Sequence, residues 1–178
     1  MIFLPNKPIK VGVFVSGGLD SALLYYLLNQ VAVPGLHTIV PLVIEKTEHT
    51  IPLVTGIQEY FKDQRSLTIV DGTVQSAVLK CHADGYNRVY VGTIKELPEF
   101  LIGWQSTTYP ETRFFHTPFK NIDKSQIVQL IIKEKQEKLF ELTHSCANQP
   151  IGRCNECNRC RERKWAFDKL DLLDPGVL

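Results

Sequence analysis

Four of the five cysteines, Cys146, Cys154, Cys157 and Cys160, fall in one stretch near the end of the chain, spaced Cys-x7-Cys-x2-Cys-x2-Cys. Thiolates are soft ligands, and two-residue spacings let neighbouring cysteines turn toward one ion. The pattern therefore predicts a metal site and not a disulfide framework. Zn²⁺ and a [4Fe–4S] cluster both accept four cysteines; the spacing leaves both open, and zinc is the expectation. Four protein ligands fill a tetrahedral shell, so the expected role of the ion is structural.

A second group, Val15-Ser16-Gly17-Gly18-Leu19-Asp20-Ser21, stands between an apolar run and a helical pattern. Consecutive backbone N–H groups and the positive end of a helix dipole can hold an anion there, and glycine lets the backbone approach phosphate. The nucleotide reading stands against a plain strand-to-helix turn. No GxxxxGK[ST] is present, and Asp20 would repel bare phosphate. Two readings of Asp20 follow: it caps the helix, or it helps to position Mg²⁺ on nucleotide phosphates. Lys124 opens a later helical pattern, where a cation opposes the dipole unless an anion sits nearby. It is a candidate phosphate ligand, with an exposed surface lysine as the alternative.

These groups need a scaffold. Residues 10–15 (KVGVFV) form an apolar run without alternation, as in a strand covered on both faces. Further strands are expected at 37–44, 66–70, 88–92 and 113–116, and helices at 22–30, 52–62, 73–83 and 123–138. Alternation of the two implies an α/β fold with a parallel sheet. In the last of these helices Ile127, Leu130, Ile131 and Ile132 are expected on one face. Residues 1–142 read as a nucleotide-binding domain and 143–178 as a cysteine segment with a helix packed on it.

With 178 residues, 44% of them hydrophobic, the chain can bury the core of one domain. A net charge of +1 gives no basic field, so direct nucleic-acid binding is not expected. No stretch approaches the roughly 20 apolar residues of a membrane span, so no membrane association and a cytoplasmic location are expected. Arg153, Arg159, Arg161, Arg163 and Lys164 read as cations that offset the thiolates, with nucleic-acid contact as the alternative. Cys81 is expected to be a small buried hydrophobe and not a nucleophile; His49 and His116 are expected at the surface or in packing, with an acid or base role as the alternative; Trp104 and Tyr109 either pack or stack on a purine.

The hexapeptide SGGLDS resembles the SGGxDS signature of the PP-loop ATP pyrophosphatases. That resemblance implies a Rossmann-like (adenine nucleotide alpha hydrolase-like) parallel sheet with helices on both faces, and cleavage of ATP between its α and β phosphates. The segment 116–127 is similar to the TP(L/F)xxxxKxxI stretch of several such enzymes. The tail, from Thr143-His144-Ser145-Cys146 to Arg163-Lys164-Trp165-Ala166-Phe167, resembles the (T)xSC…CGxCxxCxxRxxAF ending of the 7-cyano-7-deazaguanine synthase (QueC/ExsB) family. The likeness covers residues 10–30 and 114–168; between them only the rhythm of strands and helices matches.

The resemblance implies a C–N ligase that uses ATP and ammonia to convert 7-carboxy-7-deazaguanine to the nitrile preQ0, in queuosine or 7-deazaguanine biosynthesis. It implies Asp20 and Lys124 as catalytic, residues 15–21 as the ATP loop, the four cysteines on structural Zn²⁺, Mg²⁺ with ATP, and a homodimer. The chain departs from the family in two places. Val43-Ile44-Glu45-Lys46-Thr47-Glu48-His49 stands for a Tyr-Gly-Gln-(Arg/Lys)-His segment, and Gly92-Thr93-Ile94-Lys95-Glu96-Leu97-Pro98-Glu99-Phe100 for a Ser-Gly-Tyr-Pro-Asp-Cys-Arg stretch. Two alternatives keep the loop but change its use: another acceptor, such as a tRNA base or a protein carboxylate, or an ATP-binding module without catalysis.

Overall fold

A computed structural model describes residues 2–45, 50–97, 100, 112–149 and 152–176. His49, Trp104 and Tyr109 lie outside the described residues. The elements run β1 (Ile9–Phe14), α1 (Leu19–Val31), β2 (His37–Val43), α2 (Thr50–Tyr60), β3 (Thr68–Ile69), α3 (Val74–Ala83), β4 (Arg88–Tyr90), β5 (Phe115–His116), α4 (Lys124–Lys133), α5 (Leu139–Leu142) and α6 (Asn158–Asp168).

The five strands form one parallel sheet in the order β3-β2-β1-β4-β5. Successive residues of a strand face opposite sides, and in β1 both sides are covered. Val11 and Val13 join the cluster beneath α1, α2 and α4–α6, while Phe14 joins that beneath α3. That double cover is why the β1 sequence shows no polar alternation.

Pro41 sits inside β2, opposite Val13 of β1. The Val15 N–H donates to the Leu42 carbonyl at 2.9 Å, so even-numbered residues of β2 bond β1. Pro41 turns its missing N–H to the other side, where β3 begins only opposite Leu42.

Helix α1 buries Leu19, Ala22, Leu23, Leu24, Tyr25 and Leu28, because it lies between the sheet and a second layer made by α4 and α5. Ala166 and Phe167 of α6 join the same cluster. The expected helix over 123–138 ends earlier, at Lys133. Lys135 takes φ +56°, its N–H donates to the Ile132 carbonyl, and the Gln136 N–H donates to the Ile131 carbonyl. This is a Schellman ending without glycine. Ile127 and Ile131 are buried, but Ile132 is exposed. Among the described residues no helix is long and apolar enough to cross a membrane.

Candidate nucleotide cleft and metal centre

The chain leaves β1 for β2 on one side and returns to pair β4 on the other, so the sheet changes direction between β1 and β4. Ligands of open α/β sheets bind at the carboxyl ends of strands at such a point. Residues 15–21 sit there. Gly17 has φ +78°, and a Cβ on it would lie 2.9 Å from Leu53 Cβ, so conformation and space both require glycine. Ser21 Oγ accepts from the Ser16 N–H at 3.1 Å, donates to the Gly18 carbonyl at 3.0 Å and lies 3.2 Å from Ser16 Oγ. Both hydroxyls are thus gathered in the loop, while the first turn of α1 keeps its N–H groups outside the helical ladder. Gly92, just past β4, packs on the start of α1: a Cβ there would lie 3.1 Å from the Asp20 carbonyl.

Asp20 does not cap α1. The N-cap is Gly18, with no side-chain cap, and Asp20 lies in the first turn. Its Oδ2 accepts from Lys124 Nζ at 2.5 Å, and its Oδ1 is buried without a partner among the described residues. Lys124 is no surface lysine either: it is 6% exposed, and its ammonium lies 3.6 Å from Glu162 Oε2 on α6. Burial raises the Glu162 carboxyl above its ordinary value; Lys124 works against that, while Asp20 and Glu96 add to it. Lys124 occupies the first position of α4, whose N-cap is Asp123, so that cap fixes where the lysine emerges.

The loop, Lys124 and Glu162 open into one cleft of about 600 Å³. Its other walls come from Gly92, Thr93 and Ile94 after β4 and from Ser145, Asn148 and Cys157 of the cysteine segment. His144 joins the two sides, its N–H donating to the Gly17 carbonyl at 3.0 Å and its ring Nε2 lying 2.9 Å from the Gly152 carbonyl.

The Sγ atoms of Cys146, Cys154, Cys157 and Cys160 all lie within 4.8 Å of one another, so the four can hold a metal. The sequence builds this with a tight turn. Asn155 takes φ +61°, and the Cys157 N–H donates to Cys154 Sγ at 3.2 Å; the Gln149 N–H does the same for Cys146 at 3.3 Å. Burial raises the Cys146 thiol, but hydrogen bonds from the backbone at Cys154, Asn148 and Gln149 outweigh it and bring it down to about 6. Burial and the neighbouring Cys157 push Cys160 up to about 12.

Three of the five tail cations, Arg153, Arg163 and Lys164, pair with carboxylates. Arg163, 1% exposed, donates through Nε and Nη2 to Asp174 at 2.8 and 2.9 Å and also to the carbonyls of Phe140 and Thr143. Arg153 pairs with the same carboxylate at 2.5 Å, and Lys164 pairs with Asp168 at 2.7 Å. Glu162, which sequence reasoning did not single out, faces Lys124. Its sole signal in the sequence was its place two residues after Cys160. Cys81 is buried on α3 as expected, with burial raising its thiol, and His116 stacks on Tyr90 with ring centroids 4.8 Å apart.

A parallel sheet with a glycine loop at its switch point and a four-cysteine tail defines an α/β protein of the PP-loop fold. Over 93% of this chain and 67% of the other, it superposes with a TM-score of 0.54 on the U34-tRNA thiolase NcsA from Methanococcus maripaludis, a structure with its [4Fe-4S] cluster. At 15% identity this likeness is one of fold. Residues 68–171 match the family model for the queuosine biosynthesis protein QueC, and the chain belongs to the QueC family. It is also 34% identical over 61 residues to the 7-cyano-7-deazaguanine synthase of Campylobacter jejuni subsp. jejuni serotype O:6 (strain 81116 / NCTC 11828). That stretch is 34% of this chain and 26% of the relative, so it spans about a quarter of the relative's length.

Proposed function

We propose that the chain binds Mg²⁺-ATP in the cleft beside β1 and uses it to convert 7-carboxy-7-deazaguanine and ammonia to preQ0. One observation carries this reading: in a chain of the QueC family, the SGGLDS loop and Lys124 line a single cleft at the switch point of the sheet. A carboxylate is a poor electrophile. Its oxygen attacks the α-phosphorus of ATP, pyrophosphate leaves, and the acyl adenylate then loses AMP to ammonia, giving the amide. A second ATP activates the amide oxygen in the same way, and loss of AMP and a proton gives the nitrile.

In this scheme the backbone of residues 15–19 and the hydroxyls of Ser16 and Ser21 hold phosphate oxygens, and Lys124 offsets charge that develops on pyrophosphate. The buried Oδ1 of Asp20, without a partner among the described residues, suits a ligand oxygen for Mg²⁺. The cysteines hold structural Zn²⁺. A tetrahedral ion with 2.3 Å bonds needs sulfurs about 3.8 Å apart, inside the 4.8 Å within which all four lie. A cubane sets its thiolates outside four iron corners, farther apart. The pairing of Arg153, Arg163 and Lys164 with carboxylates supports small-molecule partners over nucleic acid.

Mass spectrometry of a reaction holding the protein, Mg²⁺-ATP, ammonium and 7-carboxy-7-deazaguanine tests the reading. Formation of preQ0 together with AMP is the expected result. Folded, metal-loaded protein that binds ATP yet forms neither product would overturn it.

A further inference from the structure

Lys124 lies where a cation is poorly placed, at the positive end of α4, with its side chain nearly out of water. Two carboxylates from different elements hold it: Asp20 from the first turn of α1, and Glu162, 13% exposed, from α6. A buried charge that loses one partner is left under-compensated, so both ion pairs matter to where the ammonium sits. Helix α6 begins inside the cysteine cluster. Cys157 is its N-cap, Cys160 falls in its first turn and Glu162 follows two residues later. A second pair ties the far end of α6 to the start of α4, Lys169 Nζ lying 3.3 Å from Asp123 Oδ2. A metal held by Cys157 and Cys160 would therefore clamp the end of α6 that carries Glu162, while the other end has its own anchor.

We propose that Glu162 is a positioning residue that couples the metal centre to the nucleotide cleft: it holds the Lys124 ammonium beside Asp20, and metal on the cysteines holds Glu162 in place. The consequence for nucleotide rests on the function proposed above. When phosphate draws Lys124 away from Asp20, Glu162 keeps the ammonium in the cleft. The coupling itself needs no nucleotide, and the test keeps the two apart.

The measurement is the acylation rate of Lys124 by acetic anhydride at one pH, read by peptide mass spectrometry against the exposed Lys7 of the same molecule. Four samples are compared: wild type and Glu162→Gln, each metal-loaded and chelated. Glu162→Gln keeps shape and removes charge. In the metal-loaded variant, Lys124 is expected to label about tenfold faster than in wild type, with metal content unchanged. Chelation is expected to raise the rate by a similar factor in wild type and to add little in the variant, as two changes in one linkage should. An unchanged rate in metal-loaded Glu162→Gln would overturn the positioning role. Equal increases on chelation in both proteins would overturn the coupling. So would chelation that raises the labelling of Lys10, half-buried in β1, by the same factor, because the cysteines would then staple the whole chain. Mg²⁺-ATP added to metal-loaded wild type is a separate arm: protection of Lys124 supports nucleotide binding, and its absence counts against that reading alone.

Discussion

Asp20 and Lys124 stand 104 residues apart in the chain and meet at 2.5 Å. Each was legible by itself, from a glycine loop after a strand and from a lysine at a helix start, but their pairing was not, because local spacing carries no information about contacts that only the sheet creates. Glu162 and Asp174 were missed for the same reason: both look like ordinary acidic residues until Lys124, Arg153 and Arg163 arrive from elsewhere. The cysteines were fully legible, since short covalent spacing nearly fixes the geometry of the site. Asp20→Asn is expected to lower ATP- and acceptor-dependent AMP release by at least about a hundredfold, with a loss of only about 1–2 kcal/mol in unfolding free energy. Parallel kinetics and denaturant titration check this. Burial raises the Asp174 carboxyl, but hydrogen bonds and charge from Arg163 overcome it and hold the group below its ordinary value. A carboxyl lowered on folding contributes stability that is complete above its unfolded value and is lost as pH falls through its folded one. Asp174→Asn should therefore cost about 2–4 kcal/mol at neutral pH. The gap from wild type should narrow as pH falls below about 4, seen in urea titrations across pH.

At the scale of elements, strands and helix starts were easier to read than helix ends. The β1 run and the Asp123 cap announce themselves in residue type. The ends of α2, α4 and α6 do not, because the residues at positive φ after them are Lys62, Lys135 and Asp171 where glycine is the usual signal. Continued polar helix formers after Lys133 thus read as more helix, although the chain had already turned. Relief of this strain is measurable. Lys135→Gly should raise unfolding free energy by about 0.5–1 kcal/mol, since glycine takes the left-handed conformation without the clash of a side chain. A thermal unfolding curve shifted upward by a few degrees would show it; a downward shift would mean that the lysine side chain contributes more than its backbone costs.

For the whole molecule, alternating strands and helices implied a parallel sheet, but strand order is invisible to periodicity, and it is strand order that puts the loop at a switch point. The tail proves to be a wall of the cleft: Ser145, Asn148 and Cys157 line it, and His144 bonds the loop. The candidate metal centre and the proposed nucleotide cleft are thus neighbours within one fold. In the function proposed above, this cleft drives attack of an acceptor carboxylate on the α-phosphorus of ATP. Positional isotope exchange tests it most directly, with ATP carrying ¹⁸O in the bridge between its α and β phosphates, 7-carboxy-7-deazaguanine present and ammonia withheld. Reversible adenylation predicts that the label scrambles into non-bridging positions of the β-phosphate, read by ³¹P NMR, and only when the carboxylated acceptor is there. Label that stays in the bridge, in folded and metal-loaded protein with both ligands bound, would contradict the account.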